Sequence, residues 1–332
     1  MYIPPFTITD EITSLVAEIA EQVGLLTATT TELPSPHLRK GNRIKTIQSS
    51  LAIENNSLSV EQVTAIMEGK RVLGHPNEIQ EVKNALDAYE LLLELNPYKE
   101  KDLFKAHKLM MTDLVKENGH YRQGGVGVFD GQKCIHLAPP AQRVPLLMAD
   151  LLEWVKQTKV HPLIRSCVFH YEFEFIHPFA DGNGRMGRMW QTLLLMQWKP
   201  VFAWIPVETI VKEHQQEYYA AIAKSDSEAN STAFITFMLQ CLKQALLEMK
   251  GSNQESNQEK VSKPALTKTQ KDIVNFCSVP RSAQEILARL GLSNQSVNRK
   301  RHIQTLVDMG VLEMTIPDKR NDRNQKYVRK LY

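Results

Sequence analysis

The chain has 332 residues, 42% hydrophobic and 23% charged, with a formal net charge of +3, proportions that exclude a disordered or fibrous protein. No apolar run approaches the roughly 18 residues of a membrane span, and the first basic residue, Arg39, comes too late for a signal peptide. The four cysteines, Cys134, Cys167, Cys241 and Cys277, form no Cys-x-x-Cys pair, so a soluble cytoplasmic protein without zinc, disulfides or a membrane partner is expected.

In chain order the pattern is mainly α. Ser59 and Gln62 form a capping box that opens a short helix. Residues 78–95 carry Ile79, Val82, Leu86, Tyr89 and Leu93 at spacings of three and four after an Asn77 cap, an amphipathic core helix stopped by Pro97. Comparable patterns predict helices over 103–116, 143–157, 163–176, 184–198 and 209–224. Among them, Val126, Val128, Ile135 and Leu137 flank Asp130-Gly131 and predict a small β-hairpin over 126–137. Residues 250–263 hold a single apolar side chain and read as a linker. Beyond it, residues 264–332 carry 13 Lys/Arg against 6 Asp/Glu, which places the basic character in a small C-terminal domain. Helices are expected there over 267–277, 282–290 and from Ser293 to Met309, then strands at 311–314 and 326–328. That order resembles a winged helix-turn-helix.

The densest chemistry lies at His177-Pro178-Phe179-Ala180-Asp181-Gly182-Asn183-Gly184-Arg185-Met186-Gly187-Arg188, between two helical patterns. Gly182 and Gly184 let backbone amides approach a ligand closely, and the following helix offers free N–H groups and a positive dipole end, an anion cradle. Arg185 and Arg188, three apart on that helix, can reach successive phosphates. Asp181 is placed to hold a hard cation such as Mg²⁺, and His177 to take a proton from a hydroxyl. The spacing Gly182-x-Gly184-x-x-Gly187 also fits a dinucleotide fingerprint, but a helical segment rather than a strand precedes it. His170 and His177 lack the His-Glu-x-x-His spacing of a zinc hydrolase.

Residues 177–188 resemble the Fic family signature His-Pro-Phe-x-Asp/Glu-Gly-Asn-Gly-Arg-x-x-Arg at every specified position, and a looser resemblance covers about 45–240. It implies a Fic helical core with a hairpin flap, divided as an N-terminal helical region (1–100), a catalytic core (101–249), a linker (250–263) and a winged helix (264–332). It further implies transfer of AMP from ATP, with Mg²⁺, to a Ser, Thr or Tyr hydroxyl of a target protein, the chain itself included. His177 is then the base and Asp181 the Mg²⁺ ligand. Gly182, Asn183 and Gly184 hold the α-phosphate, Arg185 and Arg188 the β- and γ-phosphates, and Phe179 anchors the loop. The flap residues Val126, Val128, Ile135 and His136 would bind the target by strand addition, a role that competes with a purely structural hairpin. Tyr218-Tyr219 resembles a family segment near the adenine pocket and reads equally as core.

Many Fic proteins carry an inhibitory helix with the pattern Ser/Thr-x-x-x-Glu-Gly/Asn. It occurs twice here, at Ser50–Asn55 and at Thr64–Gly69, where Gly69 reads more simply as a helix cap. The first is preferred: Ser50, Glu54 and Asn55 would be regulatory, Glu54 pairing with Arg188 and displacing the γ-phosphate. The alternative is that the same glutamate aligns a water for removal of AMP. In the C-terminal domain, Asn294, Gln295, Asn298, Arg299 and Arg301, with Lys319, Arg320 and Arg323 on the wing, suit DNA. The alternatives are a docking or homodimer-forming module, and a transcriptional regulator whose Fic domain senses nucleotide.

Overall fold

The computed structural model of the chain describes residues 2–29, 36–130, 133–261, 267–308, 311–316, 322 and 325–329. It divides into two compact units, Met1–Ser252 and Asn253–Tyr332.

The larger unit is built of helices α1 (Asp10–Thr29), α2 (Pro36–Ile53), α3 (Val60–Met67), α4 (Pro76–Glu90) and α5 (Glu100–Met110). The antiparallel strands β1 (Gly127–Asp130) and β2 (Lys133–Leu137) follow, and then α6 (Val144–Gln157), α7 (Pro162–Ile176), α8 (Asn183–Trp198), α9 (Val207–Glu213), α10 (Gln215–Glu228) and α11 (Thr232–Val261). The centre is the helical hairpin α7–α8. Both helices are apolar around most of their circumference, which suits elements packed on all sides, and Phe169, Phe173, Met189, Trp190 and Leu193 are fully buried. Their pairing runs antiparallel: Gln191 meets Cys167 and His170, and Gly187 meets Glu174. A Cβ on Gly187 would stand 2.7 Å from Glu174 Oε1 and 2.9 Å from His170 Cδ2, so only glycine permits this approach.

The α3 capping box forms as the residues dictate. At α4 the cap is His75 rather than Asn77, because Pro76, with its fixed φ and no N–H, takes the first helical position and starts the helix two residues early. The helix expected over 209–224 is broken at His214 into α9 and α10. The expected linker 250–263 is helical through Val261 as a continuation of α11; adding Gln, Glu and Lys residues to a formed helix needs no new nucleus. The hairpin turn at Gly131 and all side chains of residues 127–137 lie outside the described residues.

The smaller unit orders α12 (Lys268–Phe276), β3 (Arg281–Ser282), α13 (Ala283–Arg289), α14 (Ser296–Arg299), a π-helical turn Lys300–Gln304, α15 (Thr305–Asp308), β4 (Leu312–Met314) and β5 (Lys326–Arg329). Its antiparallel sheet β3-β5-β4 and the core of Ile273, Ile286, Leu287, Ile303, Leu306 and Leu312 give the layout of a winged helix-turn-helix. The third helix begins at Ser296, three residues later than expected, and Lys319, Arg320 and Arg323 lie outside the described residues. No helix among the described residues is long and apolar enough to cross a membrane.

The six residues between α7 and α8 are pinned from below. Phe179 is fully buried, and its ring stacks on His107 of α5 at 3.7 Å between centroids. His107 Nδ1 accepts from the Gly119 N–H at 2.9 Å, so Nε2 carries the proton it donates to the Asp181 carbonyl at 3.0 Å. Burial pushes the His107 imidazole down to about 4. In the unfolded chain it titrates near 6.5, so the unfolded state binds the extra proton between these values. Its contribution is complete above about pH 6.5 and falls as pH drops toward about 4, by on the order of 3 kcal/mol. Glu172 and Glu208, each pushed up to about 7 by burial, act in the opposite sense. Urea unfolding at pH 7.5 and 4.5 should therefore show a larger loss of stability on acidification for wild type than for His107→Gln.

Candidate active site

His177 ends α7 in the left-handed region, φ 50° and ψ 61°, a conformation that costs energy outside glycine and is held only by its surroundings. Arg122 supplies much of that hold. It is 3% exposed, and its guanidinium donates to the carbonyls of His177 (2.7 Å), Ile176 (3.3 Å), Pro139 (2.5 Å) and Gly124 (2.8 Å). The turn is thereby tied to both ends of the hairpin segment. His177 Nδ1 stands 3.2 Å from the Glu174 carbonyl, which can only accept, so Nδ1 bears the proton and Nε2 keeps a free lone pair.

Asn183 does not face the cradle with its side chain. Its Oδ1 accepts from the Phe179 N–H and its Nδ2 donates to the Phe179 carbonyl, both at 2.9 Å, which closes the loop on itself. The expected α-phosphate role therefore passes to backbone N–H groups at the start of α8, where Gly182 is the cap at φ 81°. Asp181 is exposed; its Oδ1 accepts from the Gly182 N–H at 2.6 Å and lies 3.5 Å from Arg185. Among the described residues no three His, Cys, Asp or Glu side chains gather to hold a metal. A single exposed carboxylate beside an anion cradle nevertheless fits Mg²⁺, which takes few protein ligands and completes its shell from phosphate oxygens and water.

Arg185 and Arg188 are both buried. Arg185 pairs with Glu81 of α4 at 3.4 Å, while its Nε has no partner. Arg188 donates to the Ser50 hydroxyl (3.1 Å), the Ser50 carbonyl (3.0 Å) and Glu54 Oε1 (2.7 Å). Burial opposes the guanidinium charge, but the adjacent Glu54 carboxylate outweighs it and raises the pKa of Arg188. Glu54 follows the last residue of α2, and Asn55 turns the chain at φ 68°, where asparagine tolerates the left-handed region. Glu54 Oε1 also lies directly against Gly184, so this carboxylate stands in the cradle itself. The second copy of the pattern behaves otherwise: Glu68 pairs with Lys40 and Lys70 on the surface, and Gly69 takes φ 71° as the cap.

A cavity of about 200 Å³ opens beside these groups, walled by Glu54, Glu174, His177, Gly184, Arg188 and, from α10, Tyr218, Tyr219 and Ile222. Sequence reasoning set the tyrosines aside and missed Arg122, Glu81 and Glu174. Tyr218-Tyr219 carried a signal, an aromatic pair on a helix of weak amphipathicity; the others carried none, since each is defined by what it meets across the fold. Val128 pairs with His136 in the β1–β2 ladder, Ile135 is the extra residue at a bulge beside that pair, and Val126 precedes the ladder with its carbonyl accepting from the Ala138 N–H at 3.2 Å. In the smaller unit Asn294, Gln295, Arg299 and Arg301 are exposed and Asn298 is half-buried. Arg299 donates to Asn294 at 2.6 Å and Asn298 to the Ser293 carbonyl at 2.9 Å.

Residues 97–195 match the Fic/DOC family, and residues 271–329 match the Filamentation induced by cAMP protein Fic-like C-terminal domain. The chain is 30% identical over 216 residues to protein adenylyltransferase Fic of Culex quinquefasciatus and 28% identical over 211 residues to that of Drosophila melanogaster. It spans 41% and 40% of the length of these two relatives. Fic-1 from C. elegans, 20% identical with a TM-score of 0.58 over 74% of this chain and 72% of that one, shares the fold. The crystal structure of a Fic family protein from Desulfovibrio desulfuricans G20 is 46% identical, with a TM-score of 0.76 over 100% of this chain and 99% of that one. Likeness at that identity along the whole of both chains goes beyond a common fold: the chain belongs to the Fic family.

Proposed function

We propose that this protein transfers AMP from ATP to a hydroxyl side chain of a target protein, and that Glu54 holds the activity down. The observation that carries this reading is the Glu54 carboxylate lodged between Arg188 and Gly184, where a phosphate would otherwise sit. An acidic side chain in that place supports reading the cradle as an anion site.

His177 Nε2 takes the proton of the target hydroxyl. The hydroxyl oxygen bonds to the α-phosphorus while the bond from that phosphorus to the β-phosphate oxygen breaks, and pyrophosphate leaves. The N–H groups at the start of α8 stabilise the charge that grows on the α-phosphate oxygens, and Arg185 and Arg188 hold the β- and γ-phosphates. Asp181 would hold Mg²⁺, which when bound neutralises phosphate charge. Arg122 keeps the His177 turn and the hairpin in fixed relation, so a target strand paired to Val126, Val128, Ile135 and His136 would bring its hydroxyl to a defined place. While Glu54 pairs with Arg188, that arginine is unavailable to phosphate.

Label transfer from α-labelled ATP with Mg²⁺ tests the reading. Glu54→Gly should label itself or a protein of the cell lysate at least tenfold more than wild type, and Glu68→Gly should behave as wild type. Adding His177→Ala should lower labelling by about 10²–10⁴, the usual worth of a general base. Absence of transfer by Glu54→Gly from any nucleotide would overturn it.

A second proposal concerns the smaller unit, favoured by a largely exposed stretch, 291–301, that carries Arg299, Lys300 and Arg301 and no Asp or Glu. It would contact DNA phosphates, so anisotropy of labelled duplex DNA should show affinity falling with salt, and Arg301→Ala should reduce the log–log slope by about 0.9. DNA binding combined with no transfer by any variant would favour the regulator over the enzyme.

A further inference from the structure

Glu174 lies one turn before His177 on α7, its side chain 11% exposed, and lines the cavity between the cradle and the face of α10. Its Oε1 is buried against Gly187 without a hydrogen-bond partner, which leaves the other carboxylate oxygen as the one a ligand in the cavity can meet. The nearest ring nitrogen, His170 Nε2, is 3.7 Å away and has no proton to give. His170 Nδ1 meets Gln191 Oε1, an acceptor, at 2.6 Å and so bears the ring proton, while Nε2 accepts from the Tyr218 hydroxyl at 3.1 Å. The buried Arg188 guanidinium shares the cavity wall with Glu174 and favours its charged form. A buried carboxylate without a donor is costly unless something that enters the cavity supplies one.

The walls say which part of a nucleotide that is. Gly184 and Arg188 offer amides and a cation to phosphates, whereas Tyr218, Tyr219, Ile222 and Ala223 present an aromatic and aliphatic face suited to a base. Glu174 lines the same cavity from α7. The portion of a nucleotide that joins phosphate to base and carries hydrogen-bond donors is the ribose. Resting on the nucleotide reading of this site, we infer that Glu174 accepts a hydrogen bond from a ribose hydroxyl and makes the protein discriminate ribonucleotides from deoxyribonucleotides. Removing the hydroxyl from the ligand leaves the carboxylate buried and unpaired, the situation in which a polar site rejects an analogue most strongly.

The test is calorimetric titration of the full-length Glu54→Gly chain, with Mg²⁺, by ATP, 2′-deoxy-ATP, 3′-deoxy-ATP and UTP, repeated with Glu174→Ala and Glu174→Gln added. Glu54→Gly should bind ATP about tenfold more tightly than at least one deoxynucleotide. Glu174→Ala should reduce that ratio to below about twofold, and Glu174→Gln, which keeps an acceptor and the shape, should retain part of it. Thermal melts of both variants, expected within a few degrees of the parent, separate lost recognition from lost folding; should Glu174→Ala fail to fold, unchanged discrimination in Glu174→Gln combined with an unchanged ATP affinity overturns the inference. Undiminished discrimination in Glu174→Ala overturns it, as does a change confined to the ATP:UTP ratio, which would mean that the carboxylate reads the base. Nucleotide binding without ribose discrimination overturns this inference alone, whereas no nucleotide binding at all overturns the functional reading as well.

Discussion

The pairing of Arg188 with Glu54 and Ser50 is the interaction on which the rest of the site depends. A guanidinium 3% exposed must recover its lost hydration from partners, and here the partners all come from the end of α2. That end is itself fastened: Lys212 donates to the Ala52 carbonyl at 2.8 Å and Gln215 to the Ile53 carbonyl at 2.9 Å, satisfying acceptors that a helix C-terminus leaves open. The consequence is a carboxylate fixed in a place built for an anion. Charge complementarity is thus met within the chain, and under the proposed function a phosphate would have to displace this carboxylate.

The loop that makes this pairing possible is strained and over-determined. His177 takes a left-handed conformation, Gly182 another, and neither would persist without Phe179 buried on His107, Asn183 bonded to Phe179, and Arg122 gathering four carbonyls. Such arrangements are typical where catalytic groups must be presented to a ligand rather than packed away. Glycine serves close approach at Gly184 and Gly187, where carboxylates from α2's end and from α7 occupy the space of a side chain.

Much of the fold was legible in the sequence because its signals are local. The α3 capping box, the helices α6, α7 and α8 and the hairpin strands rest on spacing and turn chemistry that neighbours in the chain decide. Residues that depend on distant partners were misread or unseen. Arg122 and Glu81 were unseen for that reason, and the Tyr218-Tyr219 pair, set aside as core, bounds the cavity. The break between α9 and α10 and the extension of α11 through a polar stretch follow from how the helices continue and end, not from composition.

The sequence by itself carried the candidate chemistry: a histidine, an aspartate, two arginines and a glycine-rich helix start in twelve consecutive residues, with a Ser-x-x-x-Glu-Asn pattern far upstream. Those assignments need only residue identity and spacing within a turn or two of helix. Tertiary structure decided which of two copies of the pattern meets the loop, Glu54 paired with the buried Arg188 while Glu68 pairs with surface lysines. It also decided that Glu174 is left without a donor at the edge of a cavity. Both outcomes depend on desolvation and on partners more than a hundred residues away or on another helix, quantities that a linear pattern does not contain.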